Sequence, residues 1–244
     1  MPAWRTPIGL VTIGGLVVGA LILAVVVLVP RGGSSTSGLI EPSAVVPADL
    51  QNGTTLGRAD APVTVDEYAD FQYPYCGQFA RTLQPRIVSD FVATGKVRLV
   101  AHDLAFLGQG RTPDESTDAA VAATCATRQG KYWPYRDYLF ANQFAKENAG
   151  AFSRDRLAAI AEAVGLDRSA FDACFDDPAI RAQVAADTNA AFGKGINQTP
   201  TLYFNGKAFV GVPTYDQFAA LVAQAAGTAP SAAAASPASS SPAP

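Results

Sequence analysis

Three cysteines, one histidine and a scatter of carboxylates are the residues of this 244-residue chain that could do chemistry. Cys76 sits in Asp70-Phe71-Gln72-Tyr73-Pro74-Tyr75-Cys76-Gly77-Gln78-Phe79, between a run of alternating apolar residues and a segment of helical spacing. A proline at the first helical position pre-sets the backbone, and the helix N-terminus offers unpaired N–H groups that lower the pKa of a thiol placed there. Tyr73 holds the position nearest those groups. A phenol ionises near pH 10 and forms no disulfide, so Cys76, about one turn further in, is the thiol left for exchange. It reads either as a monothiol site or as a small buried core residue. Three cysteines are an odd set, which in an exported protein suggests one pair and one free thiol. His102, alone at a strand end, reads as structural, and nothing nearby has the spacing of metal ligands. A net charge of −3 gives no basic footprint for nucleic acid.

The elements that must position these residues follow from the pattern. Val63 to Tyr68 is β-branched and alternating, a strand. Pro74 to Thr94 is helical, with Pro85 as a kink and Gly95 as its cap. Lys96 to Asp103 is a second strand, and about 113–192 is all helical, broken near Gly130, Gly150, Gly165 and Pro178. Thr201 to Phe204 and Lys207 to Val210 flank Asn205-Gly206, a hairpin signal. Thr214 and Gln217 form a capping box for a last helix, Tyr215 to Ala226.

The ends differ in kind. After a short segment 1–7, Ile8 to Val29 is an uncharged run of 22 residues, the length that spans a bilayer as a helix, and no small-x-small cleavage site follows it. It reads as a retained anchor, with Arg5 and Arg31 at its two ends leaving the orientation open. Residues 30–55, rich in Gly, Ser and Pro, read as a flexible stalk, and 227–244, almost only Ala, Ser and Pro, as a disordered tail. The folded unit is then 56–226.

Four pieces, in this order, resemble the DsbA-like thiol–disulfide oxidoreductases, in particular their membrane-anchored bacterial branch. They are Ala61-Pro62-Val63-Thr64-Val65 leading to Asp70-Phe71-Gln72; Pro74-Tyr75-Cys76; Ala123-Thr124-Cys125-Ala126 with Gln129-Gly130-Lys131-Tyr132-Trp133; and Thr199-Pro200-Thr201 before Asn205-Gly206. The resemblance implies an α/β fold: a thioredoxin-like core with an inserted all-helical subdomain, behind one transmembrane helix. It implies that Tyr73 replaces the first cysteine of C-x-x-C and that Cys76 is the resolving position, so the two-cysteine cycle is absent. Glu67 matches an acid some members place beneath the cysteines, although a plain strand residue satisfied by a nearby donor fits as well. The resemblance also implies a cis bond before Pro200 and a substrate groove of Pro74, Tyr75, Thr199 and Pro200. Tyr132, Trp133, Tyr135, Tyr138 and Phe140 read as packing of the helical insert.

Some members carry a second, structural disulfide where Cys125 and Cys174 stand. Joined, they close a loop of about 50 residues, worth about 4 kcal/mol in chain entropy; two free buried thiols are the alternative. An oxidised pair requires an oxidising compartment, which would place the C-terminal domain outside the cytoplasm on a single-pass membrane protein. The expected partners are extended or unfolded exported polypeptides and a membrane redox partner, with no cofactor. A non-catalytic binding or envelope assembly module is the competing reading.

Overall fold

The computed structural model describes residues 38–228. The expected anchor, the terminal segment before it, the first part of the stalk and nearly all of the tail lie outside them. Among the described residues, no helix is long and apolar enough to cross a membrane.

Six strands form one sheet: β1 (Gln51–Asn52), β2 (Thr55–Leu56), β3 (Val63–Ala69), β4 (Val97–Asp103), β5 (Thr201–Phe204) and β6 (Lys207–Val210), in the order β1-β2-β4-β3-β5-β6. β3 runs parallel to β4, from Val63 opposite Val97 to Ala69 opposite Asp103. β5 pairs antiparallel with β3, and β6 with β5. Strict alternation buries Val63, Val65, Glu67 and Ala69 of β3 while their neighbours are half-buried, as a strand with a single core face requires. Asn205 and Gly206 both have positive φ, 45° and 87°, the conformation a two-residue hairpin of type I′ needs.

Between β3 and β4 the chain is helical from α1 (Pro74–Gln78) through α2 (Gln84–Ile87), each followed by a π-type turn, Phe79–Leu83 and Val88–Val92. Pro85 is at the start of α2, so the expected kink takes the form of wide turns on both sides of a short helix. The chain leaves the last turn at Gly95, with φ 75°.

The insertion holds α3 (Glu115–Arg128), α4 (Tyr132–Ala141), α5 (Arg154–Ala163), α6 (Arg168–Phe175) and α7 (Pro178–Gly193). Asp114, Asp167 and Asp177 each accept a backbone N–H at the start of the helix that follows, the usual service of an N-cap aspartate. Tyr132, Trp133, Tyr135 and Phe140 are buried on α4, and Tyr138 packs on the same core at its edge. α8 (Tyr215–Thr228) closes the fold. At its start the Gln217 N–H donates to Thr214 Oγ1 (3.2 Å) and the Thr214 N–H donates to Gln217 Oε1 (2.9 Å), a reciprocal box.

The folded body begins earlier than the stalk reading set it. Residues 38–55 supply β1 and the start of β2, and Val46 is buried. The Ile40 N–H donates to Asn142 Oδ1 at 2.8 Å, and Asn142 Nδ2 returns a bond to Ile40 O at 2.8 Å. Such a segment is ordered by what it docks on, and carries no periodicity of its own.

Candidate functional site

The site is built where β3 ends. Asp70, fully buried, gathers the turn around its carboxylate. Its Oδ1 accepts from the Gln72 N–H (2.9 Å) and Ser116 Oγ (2.7 Å), and its Oδ2 from the N–H groups of Phe106 and Leu107 (3.1 Å each). Burial pushes this carboxyl up in pKa, and the four donors oppose it. Two of those donors come from the segment after β4 and one from α3, so a single side chain ties two other parts of the chain to the turn.

Tyr73 then stands at the N-cap of α1, in extended conformation, with Pro74 at the first helical position. No side chain caps this end. The Tyr73 carbonyl accepts the N–H groups of Cys76 (3.0 Å) and Gly77 (3.2 Å), and Gln143 Nε2 bridges the carbonyls of Phe71 (2.7 Å) and Tyr73 (2.9 Å). Gly77 permits that bridge: a Cβ there would meet Gln143 Oε1 at 2.2 Å. Tyr73 is half-buried against the core, with its ring 5.5 Å from that of Tyr75, which is exposed.

Cys76 faces inward and is 0% exposed. Burial pushes its thiol up to about 12. The Thr199 hydroxyl and the Asp70 backbone pull the other way, but the hydroxyl contact falls short of a full hydrogen bond, and Glu67 and Asp70 add negative charge that resists ionisation. Cys76 is the free cysteine of the described chain.

Thr199 and Pro200, joined by a cis peptide bond, meet this helix start from the other side. With Tyr73, Tyr75 and Gln78 on one wall and Val210 to Tyr215 on the other, they line a groove of about 690 Å³. No Asp, Glu, Lys, Arg or His lines it. Pro74 sets the helix start but is not among the lining residues.

Glu67 lies deeper. It is fully buried and receives Arg136 Nη2 of α4 on Oε1 at 2.6 Å, while Arg136 Nη1 donates to Gln84 Oε1 at 2.5 Å. Burial pushes the Glu67 carboxyl up, and Arg136 opposes it. The pair joins the sheet to the insertion, so the satisfied-strand reading of Glu67 has its donor in Arg136. Cys125 and Cys174 are joined, linking α3 to α6. His102 is apart from the groove: its ring stacks on Tyr68 with centroids 4.4 Å apart, and Nε2 lies 2.8 Å from Asp66 Oδ1. Among the described residues no cluster of His, Cys, Asp or Glu has the arrangement of a metal site.

The structure thus brings Tyr73, Tyr75, Thr199 and Pro200 together at one groove with Cys76 beneath, and Glu67 in the core behind. Sequence reasoning missed the parts that hold them: Asp70, Gln143, Arg136 and the Val210–Tyr215 wall. Arg136 had a legible signal, a charge in the midst of Tyr132-Trp133-Pro134-Tyr135 and Tyr138-Leu139-Phe140 on a helix that has to be buried. Gln143 and the groove wall carried none, because their roles arise from long-range contacts.

The family model described as Thioredoxin matches residues 49–224. Among curated proteins, the chain is 31% identical over 191 residues to the Na(+)/H(+) antiporter NhaA 3 of Salinispora tropica, a match covering 78% of this chain and 27% of the antiporter. To disulfide bond formation protein D of Bacillus subtilis it is 27% identical over 171 residues, 69% of this chain and 74% of that protein. Among solved structures, oxidised BdbD from Bacillus subtilis superposes with a TM-score of 0.65 at 24% identity, over 77% of this chain and 100% of the other. Wolbachia pipientis α-DsbA1 gives 0.62 at 23% identity, over 74% and 94%. These superpositions make the fold, with its helical insertion, that of the DsbA-like proteins.

Proposed function

Because the chain belongs to the thioredoxin family, we propose that it is a membrane-anchored, extracytoplasmic DsbA-like protein that holds extended exported polypeptides in the groove beside Pro200. Its thiol–disulfide exchange is impaired, limited to a monothiol step at Cys76, since Tyr73 stands where the nucleophilic cysteine of C-x-x-C would be. The single observation that carries this reading is the pairing of a phenol at the helix N-cap with one free, fully buried thiol.

In the monothiol step, the Cys76 thiolate attacks one sulfur of a client disulfide. A Cys76–client S–S bond forms, the client's own S–S bond breaks, and its electron pair leaves on the second client sulfur as a thiolate. Resolution then needs a second thiol from outside the protein, because Cys125 and Cys174 are joined to each other. The burial that pushes Cys76 up to about 12 keeps the attacking species scarce. That same observation favours a second reading, a binding module in which no electrons move. The antiporter likeness covers 27% of that protein, so ion transport is not part of the proposal.

Tyr73→Cys tests the proposal. The variant places a thiol at the helix N-terminus, where its pKa falls below the usual value of about 8.5, with Pro74, Tyr75, Cys76 and Pro200 already around it. Insulin reduction or peptide oxidation is expected to be near background for the wild type and well above it for the variant. Equal turnover by both would refute the lost-nucleophile reading. Inactivity of both, with groove binding of an unfolded peptide retained, would favour the binding module.

A further inference from the structure

A second cavity, of about 520 Å³, lies away from the groove, under the segment from Ile40 to Pro47. That segment is pinned at both ends and bridges between them. The Ile40 backbone exchanges two hydrogen bonds with the Asn142 side-chain amide, and near the other end Val46 is buried and its carbonyl accepts Gln51 Nε2 at 2.8 Å. The floor is Ala80, Pro85, Val88 and Ala93 of the α1–α2 region, with Phe140 and Ala141 of α4 at the side. Its volume falls within the range of cavities that take small organic ligands, about 300–1,000 Å³.

Its polar groups are few and unevenly charged. Arg81 is the one cation in the lining, and its Nη1 is already engaged by the carbonyl of Phe140 (2.5 Å) and by Gln143 Oε1 (3.3 Å). Two carboxyls remain, Glu41 exposed on the bridging segment and Asp137 in the wall. Asp137 Oδ2 is shut off from solvent and has no hydrogen-bond partner among the described residues. A buried carboxyl oxygen without a donor is costly, and a donor supplied by a ligand would remove that cost.

We propose that this cavity is a binding site for an amphipathic amine, a molecule with an apolar body lying under Ile40–Pro47 and one ammonium group directed to Asp137. A mostly apolar lining disfavours strongly polar ligands, and with Arg81 already engaged the two carboxyls disfavour anions. The state of the acid fits this choice. Burial raises Asp137 to about 7, with Arg136 and the Val46 backbone holding it down and Glu67 pushing the same way as burial. An ammonium arriving beside it would shift it to the charged form and release a proton at neutral pH.

The test uses the full chain in lipid nanodiscs, with the methyl groups of Ala80 and Val88 followed by NMR during titration with decylamine, decanol and decanoate. Decylamine is expected to saturate the methyl shifts at a concentration about tenfold below that of decanol, the value of one charge-assisted bond, with decanoate weakest. Asp137→Asn is expected to bring amine and alcohol to the same concentration. Ala141→Leu, which fills the cavity and leaves the carboxyl in place, is expected to weaken all three, and it decides the matter should the first variant not fold. Absence of shifts with every probe, equal binding of amine and alcohol by the wild type, discrimination that survives Asp137→Asn, or binding unchanged by Ala141→Leu would each overturn the proposal.

Discussion

At residue scale the decisive quantity is the thiolate fraction of Cys76. With its thiol pushed up to about 12, the fraction ionised at pH 8 is on the order of 10³-fold below that of an ordinary cysteine with a pKa near 8.5. Only the thiolate is nucleophilic, so the alkylation rate of the native protein should rise tenfold per pH unit through pH 10, with no plateau. Iodoacetamide labelling followed by mass spectrometry checks this. A plateau near pH 8 would mean that Cys76 has an ordinary or lowered pKa and is a better nucleophile than its burial indicates. Gly77 gives a second prediction at this scale. A methyl group there meets Gln143 Oε1 at 2.2 Å, so Gly77→Ala should displace the bridge to Phe71 and Tyr73. The expected loss is about 1–3 kcal/mol in denaturant unfolding, as for other buried hydrogen bonds left unmade.

Between elements, the Glu67–Arg136 pair joins β3 to α4. Both side chains are fully buried, and Glu67 Oε2 and Arg136 Nε have no partner among the described residues. Charges taken out of water cost several kcal/mol each, and attraction repays this only while both are present. Glu67→Ala is therefore expected to cost about 3–5 kcal/mol, because it strands the guanidinium. The double replacement Glu67→Leu with Arg136→Met should recover most of that loss. Urea denaturation of the two proteins decides the point: equal destabilisation would mean that the ion pair itself, not the stranded charge, holds the insertion to the sheet.

For the whole molecule, two features bear on where the protein works. Cys125 and Cys174, 49 residues apart, close a loop through α3 and α6, and the chain-entropy model gives about 4 kcal/mol for a loop of this length. Reduction of the intact protein should lower its unfolding free energy by about that amount while leaving Cys76 buried, and denaturant curves with and without reductant measure it. The proposed topology has its own check: protease added to spheroplasts is expected to release a soluble domain of roughly 38–228, the span of the folded body, and complete protection would place that domain on the cytoplasmic side.

The sequence by itself determined the order of the elements from β3 onward and which residues stand at the head of α1. Alternation in Val63–Ala69, the Asn205-Gly206 turn and the Thr214–Gln217 box act over a few residues, so they are readable without a fold. That one thiol stands near a proline-started helix with a phenol before it is likewise a local fact. Tertiary structure alone decided what those residues experience. Cys76 could be a monothiol or a core residue until the packing of α1 against the Thr199–Pro200 segment fixed its burial and raised its pKa. Glu67 became one half of a buried ion pair only because Arg136, 69 residues away, is delivered to it by α4. Residues 38–55 read as stalk because their order comes from Asn142 and the edge of the sheet, not from their own pattern. Burial and desolvation depend on partners distant in the chain, and spacing within a segment carries no record of them.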